Sequence, residues 1–245
     1  MANLIIKSSA DNLVLQGSDA SPAITVGATG TTTFAESVTF ASGKLFHGMT
    51  IFSSDGTWTK PAGVTAIYVI VTGAGGGGGG KGSTNDTGCG GAGGGTAIKW
   101  ITSGLGSTET VTIGTGGAAG ADSGDAGNGT TSSFGSHCSA TGGAGGKHGN
   151  NNPGPTTPGV GSGGTINLKG GSGTGGGDNA TAGIPTTNGG GSYWCPATMG
   201  GSYYGASVVG DKGAGGGGGF EQSPSTGDAA SAGGAGYCVV YEYKG

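Results

Sequence analysis

The chain has 245 residues, of which 66 are Gly, 8 are Pro and 9% are charged, with a net charge of −4 and every basic residue a Lys. Ordinary chains hold roughly 7% Gly and about 25% charged residues. Collagen needs Gly at every third position and much Pro, and nucleic-acid binders must neutralise phosphates, so neither class fits. Disorder fits poorly too, because 32% of the residues are hydrophobic and several segments alternate.

Residues 1–48 hold the short β-prone runs NLIIK, NLVLQ, AITV and ESVTF, separated by SSAD, GSDASP and GATGTT. Those separators are turn chemistry, so the region is expected as repeated short strands. With so few large apolar side chains it would hardly bury a core alone. It reads as an oligomerising stem or attachment segment, the alternative being a flexible tail. The start MANLIIKSSADN lacks a basic region and a long apolar core, so no signal peptide is expected and the chain is expected to be made in a cytoplasm. No segment approaches the roughly 18 apolar residues of a membrane span, so no membrane insertion is expected.

From Met49 the pattern changes. MTIFSSDGTWTKPAGVTAIYVIVTG reads as strand, turn, strand, with Pro61-Ala62-Gly63 as the turn. TAIKWI (96–101) and TETVTIG (108–114) are further strands, and GAGYCVVYEYKG closes the chain with Tyr237, Val239, Tyr241 and Tyr243 on one face. A returning last strand makes 49–245 one domain. No helix is expected, since Gly costs about 1 kcal/mol per helical position relative to Ala.

The glycines between these strands fall into short registers of three: Gly114, Gly117, Gly120; Gly143, Gly146, Gly149; Gly170, Gly173, Gly176. Three residues per turn is the period of the polyproline-II helix, which makes no internal hydrogen bonds. Faces that carry only Gly can approach closely and bond laterally. The fold expected is therefore all-β with a bundle of polyglycine-II helices, the alternative for the tracts being a floppy linker.

GAGGGGGGKGS (73–83) follows an apolar strand and satisfies G-x-G-x-x-G and nearly all of the P-loop pattern. A phosphate site needs a helix N-terminus after the last glycine, and KGSTNDTGCGGAGGG cannot form one. Gly82 also stands where a P-loop needs the Ser or Thr that holds magnesium. The histidines His47, His137 and His148 stand at no known catalytic spacing from a nucleophile, and Cys89, Cys138, Cys195 and Cys238 form no C-x-x-C pair. No enzyme, cofactor or metal is expected, and free thiols are preferred to disulfides.

Variable-looking loops separate the tracts: 81–87, 121–128, 147–159, 177–188, 191–212 and 220–228. Loops on a rigid scaffold are the usual place for binding residues. Tyr193, Trp194, Tyr203 and Tyr204 stand in a Gly/Ser/Ala background, the composition of evolved binding loops. The alternative is that these rings pack one end of the bundle as a small satellite core.

The motif G-x-W-x-x-P-x-G-V (56–64), the glycine run after it, the strand pair and then SFGSHCSATGG resemble the glycine-rich domain of phage tail-fibre and tail-tip proteins, over about 52–146. The later part looks like polyglycine-II adhesins at the tips of long tail fibres, and NLVLQGSDASPAITVGATGTTTF is similar to the N-terminal segments of phage fibre proteins. The resemblance implies a virion protein of the tail fibre or tail tip. Residues 1–48 would contact other tail or fibre proteins, and a homotrimer is expected. The loops would contact a host surface glycan or outer-membrane protein. The residues expected to do so are Tyr193, Trp194, Tyr203, Tyr204, Phe220, His148, Asn151, Lys81 and Asp86. A purely structural virion fibre or decoration protein without receptor contact is the second expectation.

Overall fold

The computed structural model describes residues 5–9, 12–16, 22–26, 32–34, 45–82, 86–149, 154–177, 187–201, 206–223 and 226–245. The chain divides into two compact units, Met1–Lys44 with Gly245, and Leu45–Lys244. No α-helix occurs among the described residues.

The first unit is an antiparallel meander of β1 (Ile5–Ser9), β2 (Asn12–Gln16), β3 (Pro22–Val26) and β4 (Thr32–Phe34), in that spatial order. Pro22 opens β3, a position where a strand tolerates the missing N–H. The fourth strand falls on Thr32–Phe34, which the sequence reading gave partly to a turn. Thr33 and Phe34 suit a pleat and pair with Thr25 and Ile24. The run ESVTF lies outside the described residues.

The second unit begins at Leu45, ahead of the boundary read at 48/49, because β5 (Leu45–Phe52) pairs along its length with the last strand. Its other strands are β6 (Gly56–Thr59), β7 (Val64–Thr72), β8 (Thr96–Ile101), β9 (Thr108–Thr112), β10 (Ser132–Phe134), β11 (Cys138–Ala140), β12 (Gly161–Ser162), β13 (Ile166–Leu168), β14 (Phe220–Ser223), β15 (Thr226–Asp228) and β16 (Tyr237–Lys244). One five-stranded sheet has the order β13-β8-β7-β16-β5, a second has β12-β11-β10-β9-β6, and β14-β15 is a separate hairpin.

The two larger sheets share one core. Ile67, Val69, Val71, Ala97, Ile101, Cys238 and Val240 from the first meet Trp58, Val111, Phe134, Cys138 and Ala140 from the second. Alternation puts these residues on one face of each strand. Trp58 and Phe134 stack in a tilted pair with centroids 5.8 Å apart. The Trp58 Nε1–H donates to Oε1 of the buried Glu242 at 2.8 Å, and the Thr50 hydroxyl donates to the same oxygen at 3.0 Å. The G-x-W-x-x-P-x-G-V motif thus has a structural reading. Its Trp is the core residue that bonds across the sheets, and Gly63, with φ of 78°, closes a turn in which Val64 N–H donates to Pro61 O. A positive φ at the third turn position is what a type II turn requires.

Beyond the sheets the glycine tracts form a lattice. Every amide from 73 to 80 donates to another segment, in a cycle of three. Gly73, Gly76 and Gly79 donate to Gly95, Ala92 and Cys89; Ala74, Gly77 and Gly80 to Thr130, Gly127 and Gly124; Gly75 and Gly78 to Gly234 and Ser231. Acceptor numbers fall as donor numbers rise, so these neighbours run antiparallel. Parallel neighbours donate back: Gly117 and Gly120 to Gly75 and Gly78, Gly143 and Gly146 to Ala74 and Gly77, Gly216 and Gly219 to Gly76 and Gly79. Segment 73–80 is therefore enclosed on all sides. Segment 88–95 is bonded in the same way to 213–219, 141–147 and 171–174. This is the polyglycine-II arrangement, with period three and lateral bonds only.

Space, not backbone freedom, explains glycine here. Among the described residues the glycines with φ in the left-handed region are Gly63, Gly104, Gly135, Gly163 and Gly213, all outside 73–80 and 88–95. A Cβ on Gly76 would lie 2.1 Å from Ala144 O, and one on Gly78 1.9 Å from Gly217 O. Ordering each Gly costs roughly 0.5–1 kcal/mol more than ordering Ala. A satisfied hydrogen bond contributes about 0.5–1.5 kcal/mol net, enough to offset that cost segment by segment.

Candidate functional site

The bundle has two ends. Gly73 adjoins β7 and the sheets, and Gly80 is the far end, seven steps along and roughly 22 Å away at 3.1 Å per residue. At the far end Gly120 donates to Gly78 and Gly80 to Gly124, Gly149 donates to Gly80, Thr87 donates to Gly177, Gly88 donates to Gly219, and Gly218 donates to Thr187. These pairs are the points where described segments finish or restart at the end opposite the sheets.

This loop end carries mixed charge. Asp125 accepts from Lys147 Nζ at 2.7 Å and meets His148 Nδ1 at 2.8 Å, and it also accepts the His148 amide at 3.1 Å. The hydrogen bond from Lys147, then those from His148, hold the Asp125 carboxyl well below the usual carboxylate range. Lys81 pairs with Asp122 at 3.7 Å. Asp125 was not among the residues expected from sequence. Lys147 and His148 follow it at positions 22 and 23 along the chain, a separation that carries no periodic signal.

Of the expected contact residues, Lys81 and His148 lie at this end and are partly exposed. Asp86 and Phe220 also lie there, but both are buried, at 7% and 5% exposure. Phe220 bridges to Thr87 at the start of the β14-β15 hairpin, so its ring covers the bundle and does not face outward. Both expected contact residues thus stand at the loop end with their side chains buried. Asn151, Tyr203 and Tyr204 lie outside the described residues.

Tyr193 and Trp194 are at the opposite end. Ser192 accepts from the Trp194 and Cys195 amides and donates to Lys212 O at 2.6 Å, folding a tight turn beside the sheets. Trp194 packs edge-on to Tyr193 and to Tyr237 of β16, at 4.9 and 5.6 Å between centroids. The Lys212 ammonium sits 5.9 Å from the Tyr237 ring centroid. The Tyr68 phenol of β7 is pushed up first by burial, then by its neighbours Tyr193, Tyr241 and Tyr243. Hence the Tyr193–Trp194 turn caps the sheet, away from the loop end. Trp194 is half-buried in this packing and Tyr193 is half exposed.

The nucleotide motif is closed off by the same bonds that build the lattice. All amides of 73–80 already donate to protein carbonyls, leaving none for a phosphate. A cleft of about 210 Å³ lies between the β10-β11 and β12-β13 turns, lined by Gly135, Ser136, His137, Cys138, Ser139, Ser162 and Gly163. It is smaller than the roughly 300–1,000 Å³ of small-molecule sites. His137 Nε2 meets Glu109 Oε1 at 3.1 Å and not a serine hydroxyl. Burial pushes the Glu109 carboxyl up, but the Gly106 amide and His137 together bring it below its ordinary value.

A glycine-rich domain family matches residues 50–244, four-fifths of the chain. The chain belongs to this glycine-rich domain family. No curated protein matches it. The family match begins inside β5 and ends inside β16. The glycine-rich domain therefore coincides with the second unit, sheets and bundle together, and its first and last strands are hydrogen-bonded neighbours.

Proposed function

We propose that this glycine-rich domain protein is a phage virion protein of the tail fibre or fibre tip, whose loop end binds a receptor on the host surface. The observation that carries the reading is the set of segment ends, with Lys81, Asp122, Asp125, Lys147 and His148, at one end of a cross-bonded lattice, opposite the sheets. A rigid scaffold with variable loops is the arrangement in which binding residues are usually found. Its resemblance to tail-fibre glycine-rich domains supports the same direction. The role is binding and not catalysis, and the partner is a bacterial surface glycan or an outer-membrane protein. Residues 1–48 join the domain to other fibre proteins. Several weak contacts on one particle then act together through effective concentration.

The burial of Asp86 and Phe220 favours a second reading, a structural fibre or decoration protein. Competition separates the two. Purified full-length protein should block adsorption of the phage that carries it, and Lys147→Ala with His148→Ala should weaken the block. No block at any concentration would leave the structural reading standing.

A further inference from the structure

On the outer face of the β13-β8-β7-β16-β5 sheet the Tyr193–Trp194 turn covers Tyr237 at one end of β16, and among the described residues the rest of the face carries exposed apolar side chains. Strand alternation turns the core residues inward and presents Met49, Ile51, Tyr68, Trp100, Tyr241 and Tyr243 on the other side. Tyr68 contacts both Trp100 and Tyr241, Trp100 contacts Tyr243, and Tyr243 contacts Phe46, so the rings form a continuous stripe across the sheet. Phe46 is 62% exposed, Met49 50%, Ile51 47% and Trp100 41%. At the β13 edge Ile166 and Leu168 extend the same face.

We propose that a second copy of this chain packs on this face, sheet to sheet. Size supports that occupant. Five strands at about 4.8 Å and six residues at about 3.3 Å give a face of roughly 500 Å². That is near the top of the range for apolar patches on monomers, roughly 300–600 Å². Buried once on each copy, it makes about 1,000 Å², the threshold of a specific interface. Charge supports it as well. None of the side chains named on the face carries a formal charge, so a two-fold contact of the face with itself brings no like charges together; Lys212, over the Tyr237 ring at one end of the face, is paired with Asp211. The loop end, with Lys81, Asp122, Asp125 and Lys147, has the opposite character.

The test uses the full-length chain in a Cys195→Ser background, carrying Ile51→Cys or Tyr241→Cys, treated with a short bis-maleimide. Both should give a covalent two-chain species, while Thr112→Cys on the other sheet should not. Adding Trp100→Lys should lower the yield about tenfold, as expected for a contact weakened by a lysine placed within it. Retained thermal unfolding shows that each variant folds. Full labelling of the cysteines without cross-linking would overturn the proposal. So would equal cross-linking of Thr112→Cys, or protection of the face without any two-chain species. Receptor binding at the loop end is read separately by adsorption, so either idea can fail alone.

Discussion

A single methyl group is the unit in which this lattice is specified. Gly78 has room for none, with a Cβ falling 1.9 Å from a backbone carbonyl that cannot move aside. Gly154 has nothing within 4 Å of the same position. Gly78→Ala should therefore lose more than the roughly 1–3 kcal/mol typical of overpacking, and Gly154→Ala should lose nothing measurable, both read by urea unfolding. Thiols give a second check. Cys89, Cys138 and Cys238 are buried and Cys195 is half-buried, and burial pushes the Cys138 thiol up to about 11. In the native state at pH 8 a disulfide reagent should modify Cys195 and spare the other three until unfolding. Asp125 supplies a pH signature. Its folded pKa is depressed, so its contribution is complete above the unfolded value of about 3.9 and is lost as pH falls below it. Carboxyl NMR should find Asp125 still ionised where exposed aspartates have protonated, and titration at an ordinary pKa would contradict the paired geometry. The glycine density was plain in the sequence, but the partner of each glycine was not. Ala144 meets Gly76 across many intervening residues, and only the folded lattice brings them together.

Elements built on large side chains were legible, and those built on small ones were not. The strands from VTAIYVIVT to TETVT stand where alternation and β-branched residues put them. The hairpin of β10 and β11 hid in SSFGSHCSA, although Gly135, with φ of 48°, marks its turn. Strands β12 and β13, two and three residues long, are too short to show a period. The Trp58–Glu242 bond joins elements 184 positions apart and gave no local sign. Trp58→Phe keeps an aromatic ring in the core and removes the donor from a buried carboxylate. It should cost about 2 kcal/mol, in the range for hydrogen bonds to charged groups, measured by denaturant unfolding. An unchanged midpoint would mean that the bond contributes nothing. Tyr193 and Trp194 illustrate the limit for the site. Composition left them open as a binding loop or a small satellite core, and it gave no sign of Tyr237, the packing partner more than 40 positions downstream beside which their turn docks.

At the scale of the whole molecule, two kinds of order share one domain. The sandwich is held by an apolar core, and the bundle by lateral hydrogen bonds between segments that have no core of their own. That division separates an apolar sheet face from a charged loop end, and each is given a different partner here. The central claim is that the glycine tracts are ordered by those bonds and do not act as a tether. Hydrogen exchange tests it most directly, because stable amides open only with the global unfolding they depend on. Amides of 73–80 and 88–95, all donated to neighbouring carbonyls, should exchange as slowly as those of β7 and β16. Exchange at the rate of an unstructured glycine chain would contradict the account.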